Sequence, residues 1–184
     1  MKGLDRYLQK WRNKLVCRYI DNNDYVLDIG SVNGVLFELL GDSIKGVGID
    51  PTLPKSIQRK NYILISGKFP KDLPQHLNCF DVITLLAVIE HIPAPEIKDF
   101  LEACIKRLNP GGKLIITVPS KHVDNILQLL RFLRMIEGMS LEEHHHFEPG
   151  HLSDYFSTQP MILKVHKKFQ MGLNNLFVYL KERR

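Results

Sequence analysis

Two aspartates, Asp28 and Asp50, carry the first chemical signal in this 184-residue chain. Each stands at the end of a short apolar segment, Tyr25–Ile29 and Ile44–Asp50, that reads as a buried strand. Gly30-Ser31-Val32-Asn33-Gly34 follows the first, leading into an apolar helical run, Val35–Leu40. The two glycines let the backbone turn sharply and approach a ligand closely. A strand, a glycine-containing turn and a helix N-terminus together make a small-molecule cradle. Its glycines do not keep the GxGxxG spacing of a dinucleotide fingerprint, and the charge of Asp28 would oppose a pyrophosphate. A carboxylate there suits a ligand presenting an ammonium group, which favours an amino-acid-bearing nucleoside. Asp50 lies 22 residues beyond Asp28, where an acidic strand end can accept hydrogen bonds from ribose hydroxyls. The bland alternatives are an ordinary strand-to-helix turn and a solvated aspartate ahead of Pro51.

Further along, Asp81 opens another apolar run, Phe80–Ile89, that leads into Glu90-His91. Either residue of that pair could orient or deprotonate a substrate hydroxyl or amine. Equally, Glu90 could bond loop backbone while His91 caps or packs. Three consecutive histidines, His144, His145 and His146, suggest metal ligands at first sight. Neighbouring side chains point in different directions, however, and no complete ligand set lies nearby, so no metal site is expected. One of the three could act as a base or hold a substrate, since imidazole titrates near neutral pH; a surface loop anchored by Phe147 is the competing reading.

These stretches resemble the class I S-adenosylmethionine-dependent methyltransferases, especially the type-11-like group. Asp28, Gly30 and Gly34 match the family's first motif, although Val32 stands where the family usually has glycine. Phe80–His91 is similar to its fourth motif, and Leu108-Asn109-Pro110-Gly111-Gly112-Lys113 to its helix-to-strand turn. The resemblance implies S-adenosyl-L-methionine as cofactor, with Asp28, Gly30, Ser31 and Gly34 around its amino-acid part and Asp50 and Pro51 near the ribose and adenine. It also implies cofactor contacts from Leu86, Ala87 and Glu90, and from Gly67, Lys68 and Phe69 after the third strand. Such enzymes often have an acid where this chain has Lys68, which would leave the adenine to backbone near Gly67–Phe69. Phe69 could cover the base or belong to the core. Catalytic candidates are His91, His144, His145 and His146. The implied activity is in-line methyl transfer to a small-molecule acceptor. A catalytically weak or inactive relative that holds the cofactor for regulation or partner assembly is the alternative, favoured by Val32 and Lys68. A dinucleotide-dependent oxidoreductase is disfavoured by Asp28.

The elements that must position these residues follow from periodicity. Strands are expected near 25–29, 44–50, 61–65, 80–89 and 114–119, with helices between them. Pro93-Ala94-Pro95-Glu96 suits the first turn of a helix running to about Leu108. Met161–Phe169 and Asn175–Leu180 read as an antiparallel pair, with Gly172 and Asn174 available for the reversal. The expected fold is therefore α/β, a doubly wound, mostly parallel seven-stranded sheet with an antiparallel edge hairpin. Helical spacing of Ile126, Leu129, Leu130, Leu133 and Ile136 suggests a substrate lid over about residues 120–157, with a plain packing helix as competitor. Arg131 and Arg134 on it could face an acidic substrate or solvent.

Length fits one domain. The longest apolar run, Val82–Ile89, is too short to span a bilayer, and the N-terminus has no apolar signal segment. Cys17, Cys79 and Cys104 are widely spaced and unpaired by pattern, as expected of reduced thiols in a cytoplasmic protein. The net charge of +5 is concentrated in residues 1–20, which hold six Lys or Arg against Asp5. An N-terminal helix over about 3–20 would place Leu4, Leu8, Trp11, Leu15 and Tyr19 on one face, flanked by Lys2, Arg6, Lys10, Lys14 and Arg18. Packing with a solvated basic flank is the simpler reading, and contact with an acidic substrate or membrane surface the sharper one. The remainder is nearly neutral, which gives nucleic-acid binding little support. Neither the methyl acceptor nor the oligomeric state is legible.

Overall fold

A computed structural model describes residues 3–120 and 149–183. His144, His145, His146 and most of the expected lid lie outside the described residues. Helix α1 (Gly3–Val16) and a 3₁₀ turn (Cys17–Tyr19) precede β1 (Tyr25–Ile29), α2 (Val35–Leu40), β2 (Lys45–Asp50), β3 (Ile57–Gln58) and β4 (Tyr62–Ser66). Then come β5 (Phe80–Leu86), a 3₁₀ turn (Ile89–His91), α3 (Ile97–Arg107), β6 (Leu108–Pro119), α4 (Leu152–Tyr155), β7 (Met161–Phe169) and β8 (Asn174–Lys181).

The strands form one sheet in the order β3-β4-β2-β1-β5-β6-β8-β7. Pairings from β4 across to β6 are parallel, whereas β8 runs antiparallel to β6 and β7 antiparallel to β8. The sheet is thus eight-stranded rather than seven-stranded. After Pro51 the chain folds back so that Ile57 and Gln58 pair antiparallel with Leu64 and Ile63, adding a two-residue edge. Central strands such as Val26-Leu27 and Val82–Leu85 are buried on both sides, as their unbroken apolar runs require. One face is covered by α1 and α2 through Leu15, Val16, Leu36 and Phe37. The other is covered by α3 and α4 through Ile97, Leu101, Cys104, Ile105 and Leu152. All three cysteines are free thiols, and no described helix is long and apolar enough to cross a membrane.

This topology creates a crevice. Chain order runs outward from β1 toward β2 and β4 on one side and toward β5 and β6 on the other. The loops leaving the carboxyl ends of β1 and β5 therefore diverge, and such a switch point is where open α/β sheets bind ligands. At the opposite end, Asp81 ties the sheet together, accepting the Tyr25 N–H at 2.9 Å and the Asn109 amide at 2.8 Å.

Two expectations change. Helix α1 ends at Val16 and is rotated relative to its apolar stripe, leaving Trp11 39% exposed while Asn13, Leu15 and Val16 are buried. Its inner stripe runs Gln9, Arg12, Asn13, Val16, because a cavity carrying Asp28, Ser31 and Asp50, rather than plain core, lies beneath its middle turns. In the β7–β8 hairpin, Asn174 begins β8 and the reversal falls on Gln170, Met171 and Gly172, with φ of +50°, +57° and +85°. Backbone bonds from Gly172 N–H to Phe169 O and from Leu173 N–H to Gln170 O close that turn.

Candidate active site

The crevice holds a cavity of about 750 Å³, within the range of small-molecule sites. Strand β1 delivers Asp28 to its floor. That side chain is buried, and its Oδ1 accepts a 2.6 Å bond from the Thr84 hydroxyl at the paired position on β5. Loss of solvent pushes the Asp28 carboxyl up to about 7, against the opposing pull of the Thr84 bond and the Arg12 charge. Strand β2 delivers Asp50 to the adjacent edge. Its Oδ2 accepts the Val32 N–H at 2.9 Å, while its Oδ1 accepts the Thr52 N–H at 2.8 Å and the Thr52 hydroxyl at 2.5 Å. Asp50 thereby pins the glycine turn to the loop after β2.

The turn itself is built for close approach. Gly30 sits at φ +78°, and a Cβ on it would lie 2.5 Å from Val88 Cγ2. Its N–H donates to Ile49 O at 2.9 Å. Val32 adopts φ +44° and is 42% exposed on the cavity wall, a conformation costly for a β-branched residue. Gly34 lies behind the wall, at the start of α2. Across the crevice, Leu86, Ala87, Val88 and His91 form the opposite side. Ala87 is held at φ +60° while its N–H donates to both the carbonyl and the hydroxyl of Thr117, each at 3.1 Å.

Helix α1 closes the cavity with Gln9, Arg12 and Asn13. Arg12 is the residue that sequence reasoning missed. Burial lowers the affinity of its guanidinium for its proton, while the charges of Glu90 and Asp28 raise it. Glu90 is buried in the 3₁₀ turn, and burial lifts its carboxyl to about 7, opposed by a backbone hydrogen bond and Arg12. Among the described residues, Arg12 Nε, Ser31 Oγ and Glu90 Oε2 are enclosed without a hydrogen-bond partner. Unsatisfied buried polar atoms are rare in native proteins and demand a reason. Two of the three, on Arg12 and Ser31, belong to residues that line the cavity and point to a polar ligand there. A signal for Arg12 did exist: it stands outside the four-residue ladder of the other basic residues and falls four residues from both Leu8 and Val16.

Of the residues singled out from sequence, Asp28, Gly30, Ser31, Asp50, Pro51, Leu86, Ala87 and His91 meet at the cavity, with Glu90 buried behind Arg12. Gly67, Lys68 and Phe69 do not line it. Lys68 is exposed, its N–H donating to Asp72 at 2.8 Å. Phe69 is drawn onto the α3 face, edge-on to Phe100 at 5.1 Å and beneath the Arg107 guanidinium at 5.3 Å, where an aromatic ring gains more from burial than on a loop. The alternative of Phe69 as a core residue is therefore the one the structure adopts.

An α/β sheet with acidic strand ends, a glycine turn and an enclosed crevice defines a nucleoside-binding architecture, and residues 2–157 match the family described as a methyltransferase domain. The chain belongs to that family. It is 29% identical over 140 residues to the mitochondrial ubiquinone biosynthesis O-methyltransferase of Rattus norvegicus, covering 67% of this chain. The chain spans 39% of that relative's length, well under half. Its fold matches the PH0226 protein of Pyrococcus horikoshii OT3 with a TM-score of 0.70 at 17% identity, covering 98% of this chain and 92% of the other. It also matches the Burkholderia thailandensis 1,6-didemethyltoxoflavin-N1-methyltransferase, solved with S-adenosylhomocysteine, with a TM-score of 0.70 at 12% identity, covering 98% and 82%.

Proposed function

We propose that this chain binds S-adenosyl-L-methionine in the crevice and directs its methyl group to a small-molecule acceptor. The observation that carries the reading is the charge layout of one cavity. Two carboxylates from neighbouring strand ends face it with a cation from α1, and buried polar atoms of Arg12 and Ser31 lack partners there. A molecule with an ammonium, a carboxylate and a ribose diol answers all of these groups. Asp28 keeps one oxygen beyond the Thr84 bond for the ammonium. Asp50 has three bonds on about four lone-pair positions, leaving one for a ribose hydroxyl. Arg12 and Ser31 would take the amino-acid carboxylate.

When bound, the cofactor supplies an electrophilic methyl on a sulfonium. The protein's part is to hold the acceptor in line, and positioning of this kind can account for much of the barrier. Leu86, Ala87 and Val88 supply an apolar wall that excludes water. His91, at the rim, is the group placed to accept a proton from an acceptor hydroxyl. Hydroxyl acceptors are the first to test, because the curated relative is an O-methyltransferase.

Calorimetric titration with S-adenosyl-L-methionine tests the cofactor reading. Saturable binding is expected, weakened at least tenfold by Asp50→Ala, on the scale of a hydrogen bond to a charged group; unchanged affinity would refute the ribose role. A second reading, retention of the cofactor without transfer, is favoured by Val32 on the cavity wall. Assay of S-adenosylhomocysteine release with hydroxyl and amine acceptors separates the two.

A further inference from the structure

Helix α1 turns Gln9, Arg12 and Asn13 inward, which leaves its other side facing solvent. That side carries Tyr7, 62% exposed, and Trp11, packed edge-on with ring centroids 6.0 Å apart. The β7–β8 hairpin lies alongside, tied to α1 by a 2.8 Å bond from the Gln170 amide to Leu8 O. Leu15 and Phe169 form the buried floor between them. The resulting groove, about 490 Å³, is bordered by Trp11, Lys14, Arg18, Lys167, Lys168 and Met171. Among the described residues no carboxylate lines it or pairs with any of those four cations.

Met171 is 90% exposed, held out by a turn whose two leading residues, Gln170 and Met171, occupy left-handed backbone. Such turns favour Asn-Gly, so presenting a bare thioether to water is costly twice over. Exposed aromatic and aliphatic groups ringed by cations are the composition of an interfacial membrane contact. A nucleic acid would answer the cations but has no use for a projecting Met side chain.

We infer that this face, formed by α1 and the tip of the β7–β8 hairpin, docks on an anionic membrane surface. Trp11 and Met171 enter the headgroup layer, and Lys14, Arg18, Lys167 and Lys168 lie against lipid phosphates. The inference is independent of the cofactor assignment, since its test reads binding and not turnover.

Trp11 is the chain's single tryptophan, so its emission reports this face alone. The full chain is mixed with vesicles of phosphatidylcholine, or of phosphatidylcholine with about one-quarter phosphatidylglycerol, and followed by flotation and fluorescence. Expected are flotation with the anionic vesicles only, a blue shift of Trp11 emission, and reversal of both by salt. The double variant Lys167→Glu/Lys168→Glu should weaken binding about 25-fold or more, at roughly fivefold per basic residue lost. The charge-matched control Lys98→Glu/Lys106→Glu, on exposed positions of α3 across the sheet, should retain it. Circular dichroism of both variants checks folding. Failure of the parent protein to float with anionic vesicles overturns the inference. So does flotation without a Trp11 shift, equal loss in the two doubles, or a Trp11 shift produced by single-stranded RNA and not by vesicles.

Discussion

Arg12 shows how one side chain can be costly in the free protein and useful in the complex. Its guanidinium is held beside Asp28 and Glu90, yet its Nε has no partner among the described residues. A ligand carboxylate would satisfy that donor with a charge-assisted bond, worth about 1.5–3 kcal/mol. Arg12→Ala should therefore weaken S-adenosyl-L-methionine binding by about 10–100-fold, with Arg12→Lys in between; equal affinities by calorimetry would remove Arg12 from the site. The same cluster makes stability depend on pH. Burial raises both Asp28 and Glu90 to about 7, so the folded protein binds more protons than the unfolded chain between their ordinary values and 7. The stability they contribute is full below about pH 4 and is lost as pH rises through about 7. Thermal unfolding of the ligand-free protein should show this loss between about pH 4 and pH 7 and level off above it, and Glu90→Gln should flatten the slope. An identical slope in the variant would mean that Glu90 is ionised throughout.

At the scale of elements, the glycine turn between β1 and α2 is where local chemistry and function disagree. Val32 occupies a left-handed conformation, which costs a residue with a Cβ roughly 1–2 kcal/mol, and its N–H is nevertheless committed to Asp50. Val32→Gly should relieve that strain, and after the added freedom of the unfolded chain the net gain should reach up to about 1 kcal/mol. Denaturant unfolding checks the stability. Titration checks whether removing the isopropyl group from the cavity wall also tightens cofactor binding, which is the expected direction. A clear destabilisation would show that Val32 packs usefully where it stands. The strands were legible because each is an apolar run bounded by a turn signal, after it as at Asp28-Ile29-Gly30 or before it as at Pro110-Gly111-Gly112. The short β3 was not, since Ile57-Gln58 carries no periodicity and pairs only because the chain doubles back. The orientation of α1 was misread for a related reason. Helical spacing identifies an apolar stripe, but whether Trp11 or Arg12 faces inward depends on the polarity of what lies beneath. Phe69 was ambiguous because an aromatic residue after a strand suits an adenine and a core equally well.

For the molecule as a whole, α1 is the part whose stability should depend most on ligand. Its C-terminal turn is anchored by Leu15 and Val16 in the core, whereas Trp11 and Tyr7, about one and two turns earlier, are exposed. Among the described contacts, the first turns are held by the Gln170–Leu8 bond and by Arg12, whose guanidinium is incompletely satisfied. Segments with few buried contacts open locally at a lower free energy than the global one. A ligand at 100 times its dissociation constant stabilises the states that bind it by about 2.7 kcal/mol, so it should slow exchange wherever opening breaks the site. Hydrogen exchange with S-adenosyl-L-methionine should accordingly show new protection in α1 and in the Val32–Thr52 region. The centre of β6 and β8, buried across the sheet and opening only with the whole fold, should gain protection only through that global term. Arg12→Ala, measured at saturating ligand, should lose the α1 protection and keep that around Val32. Protection of α1 that survives the substitution would mean the helix is fastened by packing alone, and that the cavity closes without a contact from its arginine.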